Sequence, residues 1–306
     1  MERQLTDKIL MIRPANFGFN PETAEDNAFQ SIEGSEQIED IKEKAIKEFD
    51  HFVKVLEDEG VTVEVIEDTQ DPVKYDSVFP NNWISFHQQG WIITYPMFSS
   101  IRRQERREDI VDLFTEKYGF NKRYSFEHYE EDNIFLEGTG SLVLDRKNKI
   151  AYASVSVRTD VTLLDKWSVL TGYSTVIFHG RDREDYPIYH TNVLMAMGDD
   201  FVVICMDSIK NEEERQELLA TFNRTHKEVI MIDFSQMESF AGNMLQLDTA
   251  SGSIMVMSSQ AYQSLNEDQV DKISNYSRIV HADISCIEKY GGGSVRCMMA
   301  ELFTPE

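Results

Sequence analysis

Short apolar runs alternating with amphipathic helical stripes restrict the fold of this chain more than any single motif does. KILMIRP, from Lys8, reads as a short buried strand. A polar stretch through Asn16, Asn20 and Pro21 follows to about Gly34, and Ser35 is the predicted N-cap of the next element. Ile38, Ile41, Ala45, Phe49, Phe52, Val53 and Leu56 then form one apolar helical stripe ending at Gly60. VTVEVIE, from Val61, alternates with the side-chain period of a strand.

The same grammar continues to the C-terminus. It predicts strands at Trp83–Phe86 and Trp91–Tyr95, a charged helix from about Arg102 to Lys117, and strands near Ser141–Leu144 and Ile150–Ala153. A helix from Asp160 follows, then strands at Thr175–Phe178, Val193–Ala196 and Phe201–Cys205 and a helix over Glu212–Thr221. Strands at Glu228–Ile232, Met244–Leu247 and Ile254–Val256, a helix over 267–275 and a last strand through Val295–Phe303 complete the pattern. A unit of strands plus one helix recurs about every 60 residues, roughly five times in the chain. The fold class is therefore α/β, without residue-level repetition between units. A plain doubly wound sheet is the alternative, but no glycine fingerprint follows the first strand. No linker of biased composition divides residues 1–306, which are expected to form a single domain.

Composition narrows the function. The 30 Lys+Arg against 54 Asp+Glu give a net charge of −24, a surface that repels polyanions and argues against a nucleic-acid partner. No apolar run is long enough to span a bilayer, and the opening MERQLTDKIL lacks the pattern of a secretory signal, so no membrane partner is expected. Cys205, Cys286 and Cys297 form no closely spaced pair, which argues against a disulfide framework or a zinc site and favours a reduced, cytoplasmic setting. No metal and no cofactor is expected. Oligomeric state is not legible, and a homodimer stays open.

Serine-hydrolase, P-loop and zincin motifs are absent, and Gly138 and Gly140 supply only the start of a dinucleotide fingerprint. Polar residues at element ends remain. GGGSVRC places three glycines ahead of Cys297, YHTN places His190 before an apolar run, and LEGTGS places Glu137 beside glycine. A thiol, an imidazole and a carboxylate are the groups needed for an activated sulfur nucleophile, although each one alone is more often a buried or turn residue.

In chain order, DSVFPNNW (Asp76, Asn81, Asn82), IRRQE (Arg102, Arg103), LEGTGSL (Glu137), SVSVRTD (Arg158), YHTN (His190, Asn192) and GGGSVRC (Cys297) resemble the landmarks of the amidinotransferase/arginine-deiminase superfamily, the penteins. That group includes the dimethylarginine dimethylaminohydrolases. The opening MIRPANFGFNPETAEDNAFQ resembles the citrulline-utilisation hydrolases. The resemblance implies a pentein α/β-propeller, five ββαβ-type modules around a pseudo-fivefold axis, and an amino acid as the small-molecule substrate. It implies that Cys297 attacks a guanidino or ureido carbon to give a covalent S-linked intermediate. His190 would protonate the leaving nitrogen and then activate water, while Glu137 holds a substrate nitrogen. Arg102 and Arg158 would clamp the substrate carboxylate, with Asp76 near its ammonium group.

Three departures stand out, two bearing on the substrate and the third on Glu137. The segment matching DSVFPNNW ends in carboxylates in the guanidinium-hydrolysing relatives, where this chain has Asn81 and Asn82; His-x-Asp of the arginine deiminases is His190-Thr191-Asn192 here; and the family's Gly-Gly-Asp is replaced beside Glu137. A guanidinium is a cation with donors only, whereas a ureido group is neutral and carries an acceptor, so amides in place of carboxylates favour citrulline, hydrolysed to ornithine, ammonia and carbon dioxide. The alternatives are a hydrolase of arginine or methylated arginine, an amidinotransferase, and a binding protein that shares the fold without its chemistry.

Overall fold

The computed structural model describes residues 2–23, 27, 29 and 38–305, and the side chain of Ile38 is outside it. Ser35, the predicted cap, lies outside the described residues. Among the described residues the strands form five three-stranded sheets, each built the same way: a central strand pairs antiparallel on one side and parallel on the other. A parallel pair needs a crossover, and helical segments supply it each time. Thus Lys8–Arg13 runs parallel to Thr62–Glu67 through the helix Ile38–Asp58, and Trp91–Thr94 runs parallel to Lys122–Ser125 through Glu108–Tyr118. The first sheet takes its antiparallel strand, Ala300–Glu301, from the other end of the chain.

The chain forms two compact units. One comprises Thr6–Gly138 with Asp283–Glu306 and holds two of the sheets; the other comprises the residues through Leu5 with Thr139–Ala282 and holds three. In the first unit Leu10, Ile12, Trp83, Ile84, Phe86, Ile92 and Phe114 share one core, where the Phe86 ring lies 5.0 Å from Phe114 and 5.3 Å from Phe120. In the second, Asp160 caps the helix Val161–Thr171 by accepting from the Leu163 N–H, and Gly172, at φ +74°, ends it in the left-handed conformation.

The central strands are covered on both faces. Ile9–Ile12, Phe201–Ile204 and Ile254–Ser258 are buried throughout, which is why they read as continuous apolar runs. The outer parallel strands have an exposed face. Thr62–Glu67 therefore alternates, whereas Lys122–Ser125 buries no side chain fully and leaves no apolar signal. That strand is absent from the sequence reading for this reason; Arg278–Ala282, which buries only Val280 and Ala282, is absent from it as well.

Four expectations need correction. The charged segment expected to be one helix from Arg102 breaks after a 3₁₀ turn, Arg102–Glu105, before Glu108–Tyr118 begins. The strands expected to begin at Ser141, Val193 and Val295 each open with a helical turn instead, over Gly138–Ser141, Thr191–Leu194 and Val295–Met298. Apolar residues in these turns are buried by tertiary packing and so mimic the start of the strand that follows. No helix among the described residues is long and apolar enough to cross a membrane.

Candidate active site

The predicted residues fall into two sets, one in each unit. Asp76, Asn81, Asn82, Arg102, Glu137 and Cys297 belong to the two-sheet unit. Arg158, His190 and Asn192 belong to the three-sheet unit. All of them are buried.

Cys297 sits in the turn Val295–Met298, which packs against the 3₁₀ turn Pro80–Asn82. The three glycines ahead of it have a steric purpose. A Cβ on Gly291 or Gly293 would come within 2.9 Å of the Phe79 ring, so both positions admit that ring under the loop. Gly292 has φ +63°, which favours glycine. Its N–H donates to the Glu288 carbonyl at 2.9 Å, and its own carbonyl accepts from Asn27 Nδ2 at 3.2 Å. Glu137 is wholly buried and accepts from the Phe98 N–H at 2.8 Å. Beside it Gly138, at φ +46°, passes so close to the Asn81 carbonyl that a Cβ would lie 2.4 Å from the oxygen. Asn81 and Asn82 are thus packed by the chain next to Glu137 on one side and by the turn carrying Cys297 on the other.

Asp76 Oδ2 accepts from Asn20 Nδ2 at 2.7 Å and lies 4.0 Å from Arg102 Nε. The guanidinium of Arg102 faces inward, contrary to the surface ion pair that its charged neighbours suggest. Its fork closes on Glu105, Nε at 2.9 Å and Nη2 at 3.0 Å, while Nη2 also donates to the Phe79 carbonyl and Nη1 donates to Asn82 Oδ1 at 2.9 Å. The face expected to clamp a substrate carboxylate is thus occupied by Glu105. A two-pronged donor is satisfied best by a carboxylate already within its own turn. Burial works to lower the Arg102 pKa, but Glu105, and then Asp76 and Glu137, hold it above the ordinary value. Burial pushes the Glu105 carboxyl up to about 7 against the pull of Arg102.

The carboxamide of Asn82 is left half satisfied. Its oxygen faces Arg102, and its Nδ2 is buried with no hydrogen-bond partner in the structure. The hydroxyl of Ser77, one residue from Asp76, is likewise buried and unpartnered. Ser77, Glu105, Asn20 and Phe79 are residues the sequence reading missed. Glu105 stood in plain view in IRRQE, but its neighbours made it look like one charge of a solvated face.

The other unit holds its set through a chain of short bonds. Arg158 lies over the Tyr189 ring, 4.9 Å from its centroid, and Tyr189 stacks obliquely beside His190 at 4.8 Å. Ser141 Oγ donates to the Arg158 carbonyl at 2.7 Å, and Thr191 Oγ1 donates to the Ser141 carbonyl at 2.6 Å. His190 is the residue before the turn Thr191–Leu194, and Asn243 Nδ2 holds the Asn192 carbonyl at 2.9 Å.

The family model for the eukaryotic N,N-dimethylarginine dimethylhydrolases matches residues 13–304. The chain belongs to this family. It lies within the amidinotransferase/arginine-deiminase superfamily of C–N bond hydrolases, and its fold is the pentein fold. Among solved structures, the apo form of ArgZ, an arginine dihydrolase from the ornithine–ammonia cycle in Cyanobacteria, aligns over 98% of this chain with a TM-score of 0.75 at 14% identity. The chain spans 41% of that protein but 99% of its N-terminal domain, a form of which with a covalent reaction intermediate aligns at a TM-score of 0.72 and 14% identity over 97% of this chain. A dimethylarginine dimethylaminohydrolase adduct with S-methyl-L-thiocitrulline aligns over 97% of this chain and 99% of its own at a TM-score of 0.65 and 16% identity. No curated protein sequence is significantly similar to the chain.

Proposed function

We propose that the protein hydrolyses the ureido group of citrulline to give ornithine, ammonia and carbon dioxide. The observation that carries this reading is Asn82, whose buried amide presents a donor and no negative charge beside the turn bearing Cys297. A carboxylate there would suit a guanidinium; an N–H₂ edge suits a carbonyl oxygen. Losing the charge-assisted bond costs a cationic substrate about 1.5–3 kcal/mol.

In this mechanism the Cys297 thiolate adds to the ureido carbon, forming the S–C bond while the carbonyl electrons move to oxygen. The adduct collapses with loss of ammonia, which leaves carrying a proton supplied by His190. Water, deprotonated by His190, then attacks the S-bound carbonyl carbon and expels the thiolate. The product is the N-carbamate of ornithine, which loses carbon dioxide. Glu137 is assigned to hold a substrate nitrogen, Asp76 the ammonium group, and Arg158 the carboxylate. Asn81 and Asn192 are assigned to substrate binding as neutral amides in this reading.

Arginine or a methylated arginine is the second reading, and the family match together with the likeness to an arginine dihydrolase favours it. Incubation with citrulline, arginine and methylated arginines, followed by assay of ammonia, citrulline and ornithine, separates the two. Ornithine from citrulline is expected, and none from Cys297→Ser. Absence of ornithine from citrulline, with turnover of an arginine compound, overturns the proposal.

A further inference from the structure

We infer that Glu288 is a positioning residue for the nucleophile: it holds both ends of the triglycine loop ahead of Cys297 and so fixes the turn that presents the thiol. The inference rests on Cys297 as the nucleophile of the proposed reaction, and it applies to a ureido and a guanidino substrate alike.

Three consecutive glycines offer no side chain by which a loop can be anchored, and each has more backbone freedom than any other residue. Gly291, Gly292 and Gly293 lead through Ser294 straight into the turn Val295–Met298, so freedom left in them is passed on to Cys297. Glu288 meets this loop at both ends. On the helix Ser285–Gly291 its carbonyl accepts from the Gly292 N–H at 2.9 Å, which ends the helix, and its carboxylate accepts from Ser294 Oγ at 2.6 Å. Ser294 stands just before the turn, where a serine hydroxyl ordinarily caps the N–H groups that follow. Here the hydroxyl makes no such cap and is directed back to Glu288. The Ser294 carbonyl in turn accepts from the Cys297 N–H at 2.9 Å, so the residue tied to the carboxylate also holds the amide of the nucleophile.

Glu288 is itself held in place. The Cys286 and Ile287 N–H groups at the start of its helix donate to the two oxygens of Glu48, at 2.9 and 3.0 Å, and fasten that helix to Ile38–Asp58. Glu288 is 2% exposed and Ser294 is wholly buried, so water does not compete for the bond between them. A hydroxyl donating to a carboxylate is among the shorter and stronger hydrogen bonds. Attack by sulfur is sensitive to such a tie, because a misplacement of about 1 Å can lower a rate about 100-fold. Substrate binding, assigned to other side chains, depends on it less, so its loss is read in kcat and not in KM.

Turnover by the full chain, together with the rate at which a chloroacetamidine-type reagent labels Cys297, tests the inference. The paired change Glu288→Met with Ser294→Ala removes both partners of the bond, which costs the fold less than stranding one of them. Its kcat per folded molecule is expected to fall about 10- to 100-fold with KM changed less than about threefold, and labelling of Cys297 is expected to slow in parallel. Glu288→Gln keeps a side chain that can meet the Ser294 hydroxyl as acceptor or donor, and its kcat is expected to stay within about threefold of wild type. Ser294→Ala alone, the loss of one oxygen, is expected to show the same fall as the paired variant and carries the test if that variant does not fold. Wild-type kcat and labelling per folded molecule in these variants overturn the inference, whatever the shift in the unfolding transition, and leave the proposed function standing. A Glu288→Gln protein as impaired as the paired variant also overturns it, since the rate would be lost with the tie retained. Turnover that survives Cys297→Ser overturns the proposed nucleophile itself.

Discussion

Arg102–Glu105 and Lys227–Asp145 are both buried ion pairs, and their surroundings are completed differently. Lys227 Nζ donates to the carbonyls of Gly198 at 3.1 Å and Asp199 at 2.5 Å, and lies 3.4 Å from Asp145 Oδ2. Asp145 in turn accepts from Asn148 Nδ2 at both oxygens, 3.0 and 2.9 Å, and from the Asn148 N–H at 3.2 Å. That cluster closes on itself and ties together the end of one hairpin and the loop of the next. Around Arg102, by contrast, the bonds lead on to Asn82 and end at a buried, unpartnered donor. The first network is finished within the fold, whereas the second stops at a buried donor without a partner beside the turn that carries Cys297.

Cys297→Ser is expected to lower ornithine release from citrulline by at least about 10³-fold with little change in the unfolding transition. Cys205 is the control, since burial pushes its thiol up to about 11 and leaves it almost wholly protonated at neutral pH. A chloroacetamidine-type reagent followed by mass spectrometry should therefore mark Cys297 ahead of Cys205; equal labelling removes the case for an activated nucleophile.

Next in size is the opposite pattern at the closed cluster. Lys227→Met strands a buried carboxylate and is expected to cost about 3–5 kcal/mol in denaturant unfolding. Activity per folded molecule should be retained. A loss of kcat without a loss of stability would erase the distinction between the two networks.

The pairs also differ in pH response. Burial raises the folded-state Glu105 carboxyl to about 7 from an ordinary 4.5, so between these values the unfolded chain has given up a proton that the folded one keeps. Stability from this group falls as pH rises from 4.5 to 7, and Glu105→Gln should remove that downward slope. Burial lowers the pKa of Lys227, so in the alkaline range below the ordinary lysine value of 10.5 the unfolded chain binds the extra proton, and this group adds stability as pH rises. Urea unfolding at a series of pH values for Glu105→Gln and Lys227→Met reads the two slopes, which must have opposite sign. The smallest effect belongs to exposed charge. Lys54, paired with Asp58 at 3.0 Å on the helix Ile38–Asp58, should tolerate Lys54→Ala within about 0.5 kcal/mol by thermal unfolding.

The modules were legible in the sequence because burial repeats locally. Ile41, Ala45, Phe49, Phe52 and Leu56 are all buried on one helix face, as their spacing predicts. Strands without an apolar face, such as Lys122–Ser125, left nothing to read. The site was legible as a list of residues in a family order, and the structure assembles six of them in one unit and three in the other. Glu105 and Asn20 were not legible. A glutamate among arginines looks the same in sequence whether it faces water or a guanidinium, and nothing in the stretch around Asn20 announces Asp76 56 residues ahead.

By itself, the sequence determined the alternation of strand and helix, the candidate thiol, imidazole and acid, and the amides where relatives carry carboxylates. Each is a matter of residue type or short-range spacing, which the chain states directly. Only the tertiary structure decided that Arg102 turns inward, that its partner is Glu105, and which edge of Asn82 is left over. Those outcomes depend on burial and on Arg102 meeting Asn82 and Phe79 across 20 and 23 residues, where every unmatched buried atom carries a cost that no local pattern records.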